Sequence, residues 1–109
     1  MSSDHTVRAV FTFKDNESKK AFITFCNGER GLGITRAWEG CKAIECYETE
    51  DNRLEMTIWQ KWASKENHES YIAMRKDGEV GAACLKWSFD YALFKNNKNK
   101  LFKVEGMLN

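Results

Sequence analysis

Residues 53–71 constrain the fold more than any other stretch, because the apolar period changes in their middle. Leu54, Met56 and Ile58 alternate with Glu55, Thr57 and Trp59, the period of a β-strand with two different faces. Trp62 closes that run. Ser64 then offers an N-cap oxygen, and Glu66 places negative charge in the first turn of a helix that carries His68 and Tyr71. A strand that ends in a large aromatic and hands over at once to a capped helix is a common setting for a pocket in folds that mix strands and helices.

The other elements follow from the same reasoning. Residues 6–14 read as a strand, with Val7, Ala9, Phe11 and Phe13 alternating with Arg8, Val10, Thr12 and Lys14. Asp15 or Asn16 caps a helix whose apolar face uses Phe22, Phe25, Cys26 and Ile23, and which weakens at Gly28, Gly31 and Gly33. Residues 34–38 form a second helical turn. Residues 41–49 form a strand with Ala43, Glu45 and Tyr47 on one face and Ile44 and Cys46 on the other. Glu50-Asp51-Asn52 is turn chemistry, so this strand and the next make an antiparallel hairpin. The helix after Ser64 stops at Arg75-Lys76 before Asp77-Gly78. From Glu79 a helical stripe is expected through Val80, Ala83, Cys84, Trp87 and Tyr91. Residues 100–105 give a last strand with Phe102 and Val104 together. His5 falls in an N-terminal tail and receives no role.

The order strand, helix, strand, strand, helix, helix, strand specifies an α+β class. The expectation is a ferredoxin-like βαββαβ sandwich, a four-stranded antiparallel sheet with helices on one face. With 109 residues and no linker, the chain is expected to be a single domain, residues 1–109, with its core at about 6–106. The uncovered sheet face is expected to carry Phe11, Phe13, Tyr47, Trp59 and Trp62. An apolar face of that size predicts a homodimer.

Seventeen basic and sixteen acidic residues leave a net charge of +1, which gives no general attraction to nucleic acid or to anionic membranes. The lysines among Asn96, Asn97 and Asn99 read as a solvated turn. No apolar run approaches the length of a membrane span, and the opening Met-Ser-Ser-Asp-His lacks the basic and apolar regions of a secretory signal. The expectation is therefore a cytoplasmic protein, whose Cys26, Cys41, Cys46 and Cys84 are free thiols. Two histidines do not support a metal site, and Cys41 and Cys46 point to opposite sides of their strand.

Trp38-Glu39-Gly40-Cys41, then a strand, a polar turn, a strand ending in Trp62, then Ala-Ser-Lys-Glu and a short helix, resemble the antibiotic biosynthesis monooxygenase (ABM) domain of the dimeric α/β-barrel superfamily. The resemblance covers roughly residues 6–90. It implies a dimeric barrel and, for one branch of the family, a cofactor-free oxygenase in which a phenolic or quinolic substrate itself delivers electrons to oxygen. On that basis no cofactor is expected. The resemblance suggests Trp62 as the cavity Trp, Tyr47 as a phenol across the hairpin, and His68 as a polar group from the helix. It also shows departures. Ile58 stands where the cofactor-free enzymes tend to place a carboxamide, and the first strand has no Asn of the haem-degrading branch, which speaks against haem degradation.

His68, Trp62 and Tyr47 are thus the catalytic candidates, and Phe11, Phe13, Trp59, Tyr71 and Arg75 the ligand-binding ones. Each has a plain structural alternative. His68 could pack beside Trp62 as a structural histidine. Trp59 and Trp62, three apart on a strand, face opposite ways, so only one should line a cavity. Tyr47 and Tyr71 could send their hydroxyls to solvent, and Arg75 could be a surface residue. Three function classes stay open: a cofactor-independent monooxygenase on a hydrophobic, aromatic small molecule, a non-catalytic binder of an apolar or amphipathic molecule such as a fatty acid, and a stress or pathway accessory protein whose dimer surface is its function.

Overall fold

A computed structural model describes residues 4–75, 86–90 and 101–107. The elements are β1 (His5–Thr12), α1 (Asn16–Asn27), α2 (Leu32–Ala37), β2 (Cys41–Thr49), β3 (Asn52–Trp62), α3 (Lys65–Met74), β4 (Lys86–Asp90) and β5 (Leu101–Lys103). The strands form one sheet in the order β4-β1-β3-β2-β5, antiparallel at every described pairing. The first four strands have the ferredoxin-like order, and β5 is added at the β2 edge.

Three expectations change. Residues 86–90 lie in a strand, not in a helix running on from Glu79. Trp87, Phe89 and Tyr91 also alternate with Ser88 and Asp90, and pairing with β1 selects that period of two over the helical stripe. The remainder of the expected helix, residues 76–85, lies outside the described residues. The expected last strand exists as β5, but as a fifth strand beside Tyr47, Glu48 and Thr49 rather than the fourth strand of the sandwich. Its Phe102 is 53% exposed, whereas Val104, just past the strand, is buried. His5 is likewise no tail residue: it opens β1, opposite Trp62.

Register sorts the side chains by face. Directly opposed residues on antiparallel strands share a face. Val7, Ala9 and Phe11 oppose Gln60, Ile58 and Met56, and Cys46 opposes Ile58, so these residues and Trp62 point towards the helices. Arg8, Val10 and Thr12 oppose Trp59, Thr57 and Glu55 on the other face, with Glu45 and Tyr47 beside them.

The helix-side core has two parts. In the larger one, Phe22 of α1 packs on Phe11 and Phe13, with ring centroids 4.8 and 5.3 Å away, among Cys26, Leu32, Met56, Ile58, Val104 and Met107. α1 starts where Asp15 accepts a hydrogen bond from the Ser18 amide at 2.8 Å. Its buried Lys19 donates to the Arg53 carbonyl at 2.7 Å and pairs with Glu48 at 2.8 Å, tying the helix to the β2–β3 hairpin. The chain then turns at Gly31, where a Cβ would stand only 2.0 Å from the Cys26 carbonyl oxygen. The smaller core gathers Val7, Trp62 and Tyr71, with Trp38, Cys41, Ile72 and Met74 around them.

Candidate functional site

The smaller core grows out of two short sequence pieces that the fold brings together. Gly40 has φ +88°, a conformation that favours glycine, and a Cβ there would lie 2.3 Å from the Asn67 side chain. The Gly40 carbonyl accepts from the Ala63 amide at 2.7 Å. Ser64 caps α3 by accepting from the Asn67 amide at 3.1 Å, and its own hydroxyl reaches the Asn67 side-chain oxygen at 2.7 Å. The start of β2 and the start of α3 are therefore locked side by side. Trp62 and the first turn of α3 are fixed in consequence.

Trp62 is 0% exposed. Its indole N–H can only donate, and it donates to the Gln60 side-chain oxygen at 2.9 Å, which leaves the Gln60 amide group as donor chemistry beside the ring. The Trp62 ring centroid lies 5.5 Å from His68 and 5.2 Å from Tyr71. His68 is 1% exposed, and burial, helped by the neighbouring His5, pushes its pKa down to about 4. A buried imidazolium is costly, so the ring is held neutral at ordinary pH.

Tyr71 is 6% exposed, and Trp38 meets its ring at 66° with centroids 6.2 Å apart. The Tyr71 hydroxyl lies 2.6 Å from the hydroxyl of Thr35, which is fully buried on α2. Arg75, at the C-terminal cap of α3, donates to the Tyr71 oxygen at 2.9 Å, to Thr35 Oγ1 at 3.0 Å, to the Gly31 carbonyl at 3.1 Å and to the Arg30 carbonyl. Its guanidinium also lies 5.1 Å from the Tyr71 ring centre. Arg75 is thus a clamp between α3 and the α1–α2 turn, and its planar fork suits several acceptors at once.

Of the candidates read from sequence, the fold brings together Trp62, His68, Tyr71 and Arg75. It does not bring Tyr47 to them. Tyr47 opposes Thr57, an odd-numbered β3 position, and so stands on the other face of the sheet from Trp62. Its hydroxyl donates to Glu45 at 2.5 Å, and that carboxylate holds the phenol protonated, pushing its pKa up to about 12. Trp59 shares that face, with the Arg8 guanidinium 5.9 Å from its ring centre. Phe11 and Phe13, expected on the uncovered face, are instead buried against α1, because β1 turns its odd-numbered residues to the helices.

Gln60 was missed, as were Thr35 and His5. The carboxamide that is absent at Ile58 is present two residues later, on the same face as Trp62. Period-two spacing from Trp62 was the signal that could have found it. Nothing in the sequence marks Thr35, whose partners lie 36 and 40 residues away. A separate groove of about 280 Å³ runs along Arg36, Cys41, Lys42, Ala43, Ile44 and Glu45, where burial raises the Cys41 thiol pKa. Cys26 and Cys46 are pushed up to about 12 by burial, which makes them poor nucleophiles. Among the described residues, no three His, Cys, Asp or Glu side chains are grouped to hold a metal ion, and no helix is long and apolar enough to cross a membrane.

No family model and no curated protein matches this chain. Solved structures do. A Bacteroides thetaiotaomicron protein of unknown function, described as a possible oxidoreductase, is 14% identical with a TM-score of 0.61, over 81% of this chain and 96% of that one. A candidate antibiotic biosynthesis monooxygenase from Deinococcus radiodurans is 12% identical with a TM-score of 0.56, over 84% and 95%. Another from Bacillus cereus is 18% identical with a TM-score of 0.52, over 88% and 95%. The chain shares the ferredoxin-like α+β fold of these proteins.

Proposed function

We propose that this chain is an ABM-type, cofactor-independent monooxygenase that acts as a homodimer on a hydrophobic, aromatic small molecule such as a phenol or quinol. The observation that carries this reading is the neutral, buried His68 beside Trp62, with the Gln60 carboxamide on the same sheet face. Solved proteins of the same fold described as candidate monooxygenases support it. In this reading the indole of Trp62 and the ring of Tyr71 wall the substrate, Gln60 donates to a substrate oxygen, and His68 takes the proton whose loss makes the substrate a reductant. One oxygen atom enters the product and the other leaves as water, with all four electrons drawn from the substrate: SH2 + O2 → SO + H2O. Free thiols at Cys26, Cys41 and Cys46 fit work in the cytoplasm.

The test is oxygen uptake with a panel of anthrones and quinols. His68→Ala should lower the rate on the order of 100-fold, the usual scale for a general base. Trp62→Phe should raise KM. No uptake across the panel, or equal rates in both variants, overturns the assignment.

A second reading is favoured by one observation. Burial holds His68 far below the pKa best suited to a general base at neutral pH. The same apolar site would then hold a molecule such as a fatty acid without turnover. Native mass spectrometry of the purified protein separates the two: an unaltered lipid that co-purifies supports binding, and its absence argues against tight capture.

A further inference from the structure

We propose that His5 holds the proton that His68 takes from the substrate, a second, half-buried imidazole that acts through the fully buried one. The inference rests on the oxygenase reading above and deepens it. His5 opens β1 directly opposite Trp62, so its side chain lies on the helix face of the sheet. Its ring centroid is 6.3 Å from that of His68, with the planes 41° apart. His68 is almost completely buried, whereas His5 is half-buried. Around the pair, among the described residues, stand Gln60 and Trp62 from β3 and Tyr71 from α3. Next to His5 in the chain, the Asp4 carboxylate accepts from Lys42 of β2 at 2.6 Å and feels the Lys61 charge on β3.

The chemistry requires such a partner. The net reaction releases no proton, because what the base removes from the substrate must return to the oxygen atom that leaves as water. Between those two moments the proton needs a resting place. A buried imidazolium at His68 is poorly solvated, so a less deeply buried neighbour is the better holder. His5 meets that requirement by position and by type. At a centroid separation of 6.3 Å the rings are too far apart for a direct hydrogen bond, so the proton crosses on a bridging water: His5 takes it from His68 once the substrate is ionised, and gives it back by the same route when the oxygen–oxygen bond breaks. His5 touches no reacting atom and is a positioning residue for the proton.

The experiment uses the full chain and its best quinol or anthrone substrate. His5→Ala should lower kcat about tenfold with KM unchanged. Imidazole added to the assay should restore the rate by entering the gap, whereas pyrazole, of similar size but a much weaker base, should not. Unchanged turnover in His5→Ala, or equal rescue by pyrazole, overturns the proposal. A second measurement does not depend on turnover. In NMR titrations the His68 midpoint should move upward in His5→Gln, because the repulsion between the two imidazoles is gone. An unmoved midpoint overturns the proton coupling whatever the uptake shows. No uptake by the intact protein overturns the oxygenase reading and the relay with it, and an upward shift would then report an imidazole pair without chemistry.

Discussion

At the scale of residues, His68 makes the clearest prediction. Its pKa is about 4 in the folded chain against 6.5 for the free side chain. Above pH 6.5 both states are neutral there and the group adds no pH dependence. Between 6.5 and 4 the unfolded state binds a proton that the folded state refuses. Stability therefore falls as pH falls, by at most about 3 kcal/mol once the lower value is passed. Urea denaturation at pH 7, 5.5 and 4.5 should show that loss, and a His68→Phe variant should show a flatter profile over the same range. An equal slope in the variant would assign the loss to other groups.

At the scale of elements, Arg75 joins α3 to the α1–α2 turn through acceptors at Tyr71, Thr35, Gly31 and Arg30. Arg75→Gln should cost about 2–3 kcal/mol, since hydrogen bonds to a charged group each contribute about 1.5–3 kcal/mol. It should also speed amide exchange in the last turn of α3, while Arg36→Gln, exposed on α2, should stay within about 0.5 kcal/mol. Unaltered exchange in Arg75→Gln would mean that the helix end is held by packing alone.

What was legible in the sequence at this scale was mostly local. The switch from strand to helix at residues 53–71, the Ser64 cap and the extent of β2 as Cys41–Thr49 all depend on near neighbours, and all are present. Alternation also separates Trp59 from Trp62. It does not say which parity meets the helices, because Phe11 and Phe13 on one strand and Tyr47 on another are matched only through register. That is why Tyr47 was grouped with residues on the far side of the sheet. The Arg75 clamp is not legible for a similar reason: its acceptors at Thr35, Gly31 and Arg30 lie 40 to 45 residues away, beyond any local pattern. Residues 86–90 carried both periods at once, and only the partner strand decides between them.

At the scale of the whole molecule, the proposed dimer uses the sheet face that carries Val10, Tyr47, Thr57 and Trp59. Trp59 is half-buried there and Thr57 is buried. A charge at the centre of such a face opposes burial against a second copy. Trp59→Glu should therefore halve the mass measured by light scattering, with the circular dichroism spectrum retained. A mass equal to that of the unmodified chain would remove the face from the interface. Because neighbouring residues of β3 serve opposite faces, a substitution aimed at the dimer leaves Trp62 and Gln60 in place, and one aimed at the site leaves Trp59 in place.

The short reach of β5 has a consequence for colloidal behaviour. It pairs with β2 only at Tyr47, Glu48 and Thr49, with one further bond from the Val104 amide to the Cys46 carbonyl. Among the described residues, no strand covers the outer side of residues 41–45. Open strand edges recruit other chains, and proteins guard them with charge and with irregular pairing. Both guards are present here. The β2–β3 register slips between Cys41 and Ala43, and the residue at the slip is Lys42. Lys42→Val would put a β-former where a charged bulge now stands. Its expected signature is faster growth of turbidity and of thioflavin fluorescence on storage at high concentration, with a melting temperature close to that of the parent chain. Lys42 would then act as a gatekeeper against fibre growth.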